Sequence, residues 1–193
     1  MIRKRFRPAC CLVALLCAAA TASATDVLPL SFNEIAARAG AIALVETVSV
    51  RSDWQTHAQG KHIVTTVRFK VERTLKGQAG QELQLEFLGG TIGGLTMEVD
   101  GMPQFQVGDR DVLFLSANRN SVSPVVGLFQ GRFRVQRDSA AGTDRILMYD
   151  RKPFVLATAG VRRLLSAPLT SLVRPLTYSE FESLVAQTLA EAR

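Results

Sequence analysis

The stretch from residue 61 to residue 115 constrains the fold most strongly, because apolar and polar residues alternate along it. Side chains of a β-strand point alternately to the two faces of a sheet, so this period of two predicts strands with one buried face. The residues expected in the core are Ile63, Thr65, Val67, Phe69 and Val71, then Leu83, Leu85 and Phe87, then Leu95, Met97 and Val99. The last run, Val112–Leu115, is apolar at every position, which is typical of a strand covered on both sides.

Glycines separate these runs and predict where the strands reverse. Gly89, Gly90, Gly93 and Gly94 lie between the second and third runs. Glycine reaches positive φ without a Cβ clash, so this segment predicts a hairpin tip. A phosphate-binding loop is disfavoured, because the Lys-Ser/Thr pair that should follow is missing and a strand rather than a helix comes next.

Residues 1–24 have the three parts of a secretory signal peptide. A basic start precedes an apolar run at residues 9–20, and Ala22-Ser23-Ala24 matches the small-x-small cleavage pattern. The pattern predicts cleavage after Ala24 and export to the periplasm or the medium. The alternatives are an uncleaved anchor or a buried helix, but an apolar run of this length is short for a membrane span.

Removal of this segment changes the composition of the chain. The only cysteines of the chain are Cys10, Cys11 and Cys17, and all three lie in this segment. Residues 25–193 are therefore expected to lack disulfides and thiolate metal sites. The segment also holds four of the 23 basic residues and no acidic residue, so the net charge falls from +6 to +2. Nucleic-acid binding thereby loses its main support. The remaining length suits a single domain, and no later apolar run is long enough to span a membrane.

Helix signals flank the predicted strands. Ser31 and Glu34 match a capping box at the start of a short helix over residues 32–39. A terminal helix is predicted at about residues 178–191, with Phe181, Leu184, Val185 and Leu189 on its apolar face. The fold class predicted for residues 25–193 is therefore mainly β, an antiparallel OB-like barrel or small sandwich with a short N-terminal and a C-terminal helix.

Further strands are expected on both sides of the central stretch. Residues 41–50 predict a first strand, with Ile42, Leu44, Val48 and Val50 on one face. Additional strands are predicted at residues 125–129, 131–136, 145–149 and 153–157. In the second of these, Phe133 and Val135 are expected to face inward while Arg132, Arg134 and Gln136 face solvent. The segment 161–174 has helix-like leucines but is interrupted by proline, so it is left unassigned.

The polar segment 51–61 is predicted to be a loop, and loops carry function more often than core strands do. It contains Trp54, which is expected to fold back as a lid over one end of the barrel, because a large aromatic side chain usually finds burial. With the hairpin glycines, this loop supplies the candidate partner-contact residues. They are Trp54, His57, Gly89, Gly90, Gly93 and Gly94.

Three pieces of the chain also resemble known families. They are Leu75-Lys76-Gly77, the glycine-rich hairpin, and Phe105-x-x-Gly108-Asp109 leading into Val112–Leu115. Together they resemble an uncharacterised family of bacterial exported proteins. More distantly, they are similar to the netrin-like domains of tissue inhibitors of metalloproteinases, which implies an OB-type barrel. Those inhibitors chelate zinc through an N-terminal cysteine and are stapled by disulfides. Since the mature chain has no cysteine, the resemblance carries over no functional residue.

No catalytic, cofactor-binding or metal-binding residues are predicted. The chain lacks a Gly-x-Ser-x-Gly elbow, and the spacing of His57 and His62 fits no helical pair of metal ligands. Basic residues on two strands are interpreted as solvated faces rather than a patch for an acidic polymer; they are Arg132, Arg134 and Arg137, with Arg68, Lys70 and Arg73.

The functional hypothesis is a non-enzymatic, exported module without a cofactor that binds another envelope or secreted protein. One alternative is binding of envelope polysaccharide, with Trp54 and Tyr149 as stacking residues. The other alternative is a hydrolase with an unrecognised site.

Overall fold

The computed structural model describes residues 28–57, 60–118, 122–155 and 174–192, with His57 described by its backbone alone. The predicted signal peptide at residues 1–24 and its cleavage site lie outside the described residues. The same holds for all but the last residue of the unassigned segment 161–174, and for the end of the strand predicted at residues 153–157.

Two helices and eight strands make up the described structure. They are α1 (Phe32–Arg38), β1 (Ala39–His57), β2 (Gly60–Lys76), β3 (Glu82–Leu88), β4 (Gly90–Ile92), β5 (Leu95–Met97), β6 (Arg110–Ser116), β7 (Arg132–Asp138), β8 (Thr143–Leu147) and α2 (Tyr178–Glu191). No helix in this described part combines the length and the apolar character needed to cross a membrane.

Six strands form one antiparallel sheet in the order β3-β2-β1-β6-β7-β8, and β4 pairs with β5 in a separate hairpin. The predicted mainly antiparallel β fold with a helix at each end is confirmed. Within the described pairings no closed barrel forms, because β3 and β8 lie at opposite ends of the strand order.

The two helices cover one face of this sheet. Each begins with a complete capping box, formed by Ser31 and Glu34 in α1 and by Thr177 and Glu180 in α2. Phe32 packs at the centre of this core, with its ring centroid 5.6–5.8 Å from four other phenylalanine rings. The other main members of the core are Ile35, Ile42, Leu44, Val112, Phe114, Phe133, Phe154 and Phe181. Such ring pairs add about 0.5–1.5 kcal/mol each beyond their buried area.

A second core lies on the opposite face of the sheet. Its main members are Ala43, Val45, Val67, Phe69, Phe87, Phe105, Leu113 and Leu115. Phe105 belongs to the segment between β5 and β6, and its ring lies 5.1 Å from the rings of both Phe69 and Phe87. The centre of the sheet is therefore covered on both sides, as the apolar run at Val112–Leu115 predicts.

The predicted loop at residues 51–61 is wrong, because residues 51–57 belong to β1 and residues 60–61 belong to β2, and the two strands form a two-stranded arm here. Its register runs from Arg51 opposite Thr66 to His57 opposite Gly60. The arm is polar because most of its side chains lie outside both cores, so polarity here reports exposure rather than an absence of strand structure.

The face predicted for the first strand is only half right. Ile42 and Leu44 are buried, but a register shift after Thr47 leaves Val48 out of the pairing with β2 and changes which residues of β1 face inward. Val48 and Val50 are consequently 45% and 37% exposed. A bulge inserts a residue and reverses the inward-facing positions beyond it, so a pattern read along one strand fails there.

Two smaller strand predictions also fail. Residues 125–129 form turns with a single bridge from Val125 to Leu115, instead of a strand. The sequence predicts Leu95 in the core, but it lies in the short β5 strand of the separate hairpin and is 63% exposed.

Candidate functional site

A groove of about 290 Å³ lies between the β4–β5 hairpin and the sheet face formed by β1, β2 and β3. We call it the hairpin groove. Its lining is mainly apolar and includes Val50, Val67, Phe87, Leu88, Met97, Val99, Met102, Pro103 and Phe105. Polar positions in it are Ser52, Thr65, Thr91, Thr96, Glu98 and Gln104, together with the backbone of Gly89 and Gly90.

The floor of the groove follows from the strand register. Ser52 lies opposite Thr65, and Thr65 lies opposite Phe87, so the three side chains share one face. The Thr65 hydroxyl donates to the carbonyl of Gly89 at 2.6 Å, and the Ser52 and Thr65 hydroxyl oxygens are 2.9 Å apart. A hydroxyl has one proton to donate, so Ser52 donates to Thr65. The Ser52 hydroxyl therefore has an acceptor that is not a catalytic base.

Gly90 lets the hairpin approach this floor closely. Its φ is +138°, and a Cβ at this position would overlap the hydroxyl oxygens of Ser52 and Thr65. Gly89 has a φ of +101°, and its Cβ would lie 2.8 Å from the carbonyl oxygen of Met97. Both glycines are thus required by the geometry of the groove.

The hairpin predicted from the glycines is present, and Gly93-Gly94 forms its tip. Their φ values of +56° and +83° suit a two-residue turn between β4 and β5. Space is open around both, since no heavy atom would lie within 4 Å of an added Cβ. Leu95 follows the tip and is 63% exposed. The tip therefore presents an apolar side chain beside the groove.

Trp54 lies on the arm, two residues along β1 from Ser52 and therefore on the same face. It is 42% exposed, and the Lys61 ammonium lies 5.0 Å from the centroid of its ring. The prediction that Trp54 forms a buried lid is therefore wrong. The backbone of His57 lies at the far end of the arm, opposite Gly60. Of the six predicted contact residues, Gly89 and Gly90 line the groove, Gly93 and Gly94 form the adjoining tip, and Trp54 and His57 belong to the arm.

A buried cluster of charged side chains contacts the wall of the groove that Gln104 and Phe105 form. Arg132 donates from Nε and Nη2 to the two carboxylate oxygens of Asp111 at 2.9 and 2.8 Å, and from Nη2 to Asp109 at 2.9 Å. It also donates from Nη1 to the carbonyl of Gln104, and its guanidinium carbon lies 4.0 Å from the ring centroid of Phe105. Gln104 and Phe105 both line the groove, so Arg132 positions this wall.

The prediction that Arg132 faces solvent is therefore wrong. Only 3% of its side chain is exposed, because the sheet is covered on both faces at this point. Arg134 is also mostly buried, and it donates to Asp109 at 3.2 Å. Asp111 is completely buried, and burial raises the pKa of its carboxyl group while the hydrogen bonds from Arg132 oppose that rise.

A second cavity of about 410 Å³ adjoins the groove and shares Met102, Pro103 and Gln104 with it. Tyr149 lines this second cavity, with its ring 4.0 Å from that of Phe129. Trp54 is not part of its lining. The two aromatic residues considered for carbohydrate stacking therefore do not form one platform there.

Titratable side chains are scarce in the lining of the hairpin groove. Glu98 is the single titratable side chain among the described residues of its lining. Within the described ranges, no group of three or more His, Cys, Asp or Glu residues is placed to hold a metal ion.

No family model matches this chain, and no curated protein or solved structure is significantly similar to it. The resemblance to netrin-like domains stays a prediction.

Proposed function

We propose that residues 25–193 form an exported, non-catalytic module that binds another protein of the cell envelope or the medium through the hairpin groove. The observation that carries the proposal is the combination of an apolar groove with exposed apolar side chains around it. Val50 at the edge of the groove, Leu95 beside the hairpin tip and Trp54 on the arm are 37%, 63% and 42% exposed.

This arrangement favours a protein partner for a physical reason. Protein interfaces centre on aromatic and aliphatic side chains that lose their contact with water, and tryptophan is enriched among the residues that dominate binding energy. The groove offers space for one or two apolar side chains of a partner, and Trp54 offers a large apolar surface next to it. The hydroxyls of Ser52 and Thr65 already donate to acceptors within the protein, so an apolar partner side chain would cover them without breaking a hydrogen bond to water that they need.

The test is a pull-down from native cell envelope and culture medium with residues 25–193 as bait, read by mass spectrometry. Val50→Asp places a charge at the apolar groove. Val107→Asp is the matched control, since Val107 is 68% exposed and does not line the groove. We expect one stoichiometric protein with the wild type and the control, and its loss with Val50→Asp.

Two results would contradict the proposal. The first is recovery of no protein above a heat-denatured bait. The second is a partner that both variants retain equally. A glycan array and a hydrolase panel with the same three proteins would then test polysaccharide binding and catalysis, which are the two alternatives.

A further inference from the structure

The outer edge of β3 has backbone groups free to pair with another strand. β3 pairs with β2 on one side, and it ends the strand order of the sheet. In the described part of the chain no strand pairs with its other side. The opposite end of the sheet differs, because the backbone N–H of Ile146 in β8 donates to the carbonyl of Leu176, and the carbonyl of Ile146 accepts from the N–H of Phe154.

The direction of each backbone group in β3 follows from two hydrogen bonds at its ends. Gly89 donates to the carbonyl of Ile63, and Val71 donates to the carbonyl of Gln81. In an antiparallel pair such residues alternate, so the odd-numbered residues of β3 bond to β2. The N–H and C=O groups of Glu82, Gln84 and Glu86 therefore point outward along the open edge.

The charges along one row of the sheet specify what fits this edge. Direct cross-strand neighbours in this row are Arg110 and Glu46, Glu46 and Lys70, and Lys70 and Glu82. The row thus alternates base, acid, base, acid from β6 to β3 and ends on the Glu82 carboxylate at the open edge, which is 74% exposed and accepts one hydrogen bond, from Arg68 at 3.1 Å. Opposite charges on directly facing residues stabilise a strand pair, whereas like charges destabilise it. The next strand should carry a basic residue here.

The same charges disfavour a second copy of this chain. An antiparallel pair of two β3 strands centred on Gln84 would place Glu82 of each copy against Glu86 of the other. Charged side chains on an edge strand hinder such self-association, because like charges repel across the new strand pair. They leave the edge open to a strand of opposite charge.

We infer that the outer edge of β3 binds an extended segment of a partner protein by strand addition, with lysine or arginine side chains opposite Glu82 and Glu86. Main-chain hydrogen bonds supply the attachment in this mode, and the alternate side chains supply specificity. This surface is separate from the hairpin groove, and the inference does not depend on binding there.

The probe is a seven-residue peptide, acetyl-Thr-Lys-Val-Lys-Thr-Lys-Val-amide, titrated into the folded chain by calorimetry. A second peptide carries N-methyl groups on its three lysine amides. Lysines opposite Glu82, Gln84 and Glu86 sit in hydrogen-bonded pairs, so N-methylation removes the donors to β3 and keeps the charge. We expect at least about tenfold weaker binding of the methylated peptide, since several hydrogen bonds are lost. A third peptide with glutamate in place of lysine should not bind.

Protein variants test the same edge from the other side. Gln84→Pro removes an outward N–H while leaving the hydrogen bonds to β2, because proline is tolerated where the N–H faces away from the ladder. We expect Gln84→Pro to weaken binding at least about tenfold and Gln84→Ala to leave it within about twofold. Equal binding of the lysine peptide and its methylated form, or no binding of the lysine peptide, would overturn the inference. The peptide comparison uses the wild-type protein, so it decides the question even if Gln84→Pro fails to fold.

Discussion

The guanidinium of Arg132 makes a bidentate contact with the carboxylate of Asp111, at 2.9 and 2.8 Å, and the two side chains are 3% and 0% exposed. Arg132 also reaches the carbonyl of Gln104 and the ring of Phe105, so one buried cation connects β7, β6 and the wall of the hairpin groove. Removing Arg132 would leave the carboxylate of Asp111 as an uncompensated buried charge, whereas Arg132 also pairs with Asp109.

We expect Arg132→Ala to lower the free energy of unfolding by about 3–5 kcal/mol, as is typical when one partner of a buried ion pair is removed. The measurement is urea denaturation at neutral pH. Adding Asp111→Ala to this variant should cost less than the sum of the single effects, because the unpaired carboxylate is then gone. Arg51→Ala is the control; its exposed pair with Asp53 should contribute only about 0–1 kcal/mol. A loss as small as that of the control would show that the buried pair does not hold the fold.

The second prediction concerns the two glycine pairs of the hairpin. Gly90→Ala should destabilise the protein more than Gly93→Ala, although both positions have positive φ. At Gly93 the new methyl group enters open space and the cost is the backbone conformation, about 1–2 kcal/mol. At Gly90 the methyl group also meets the hydroxyls of Ser52 and Thr65, so the hairpin must move.

Thermal unfolding of the two glycine variants measures this difference. Gly90→Ala should cost less stability in the double variant Ser52→Ala, Thr65→Ala than in the wild type, because the two hydroxyls that the methyl group meets are then gone. Equal losses in Gly90→Ala and Gly93→Ala would mean that the hairpin does not rest on the two hydroxyls.

The third prediction uses Trp54, the only tryptophan of the chain. Its side chain is 42% exposed, so acrylamide should quench the fluorescence of the folded protein appreciably. A lid packed over the core would be shielded and would emit at shorter wavelength. If the groove binds a partner as proposed, adding that partner should reduce the quenching. Quenching that rises strongly only on unfolding would contradict the exposed position of Trp54.

The predictable part of the fold is the part in which local pattern and tertiary burial agree. β2 alternates from Ile63 to Val71, and Val67 and Phe69 are buried in the second core, as that alternation predicts. Capping boxes and the Gly93-Gly94 turn were likewise predictable, since their hydrogen bonds and φ values depend on residues within a few positions.

The parts that sequence reasoning missed depend on distant residues. Arg132 alternates with buried Phe133 and was expected in solvent, but Asp111 lies 21 positions earlier in the chain and nothing local to Arg132 signals that pairing. Bulges in β1 likewise depend on its two neighbouring strands. In the candidate site, the glycines were recognised from their chemistry, whereas Ser52 and Thr65 meet only through strand register.

The last prediction concerns acid stability and Glu180 in the capping box of α2. Arg174 and the Thr177 backbone N–H and hydroxyl donate to its carboxylate, and these hydrogen bonds lower the pKa of Glu180 from 4.5 to about 2. A carboxyl group with a lower pKa in the folded state stabilises the fold above its unfolded pKa, and this contribution disappears as the pH falls through the folded pKa.

The variant Glu180→Gln tests this contribution, because it keeps the side-chain length but cannot ionise. The wild type should therefore melt at a higher temperature than Glu180→Gln at neutral pH, and this difference should shrink between pH 4.5 and about 2. Because every other carboxyl group is common to both proteins, the difference in melting temperature isolates Glu180. A difference that stays constant across this range would show that ionised Glu180 is not stabilised by the start of α2.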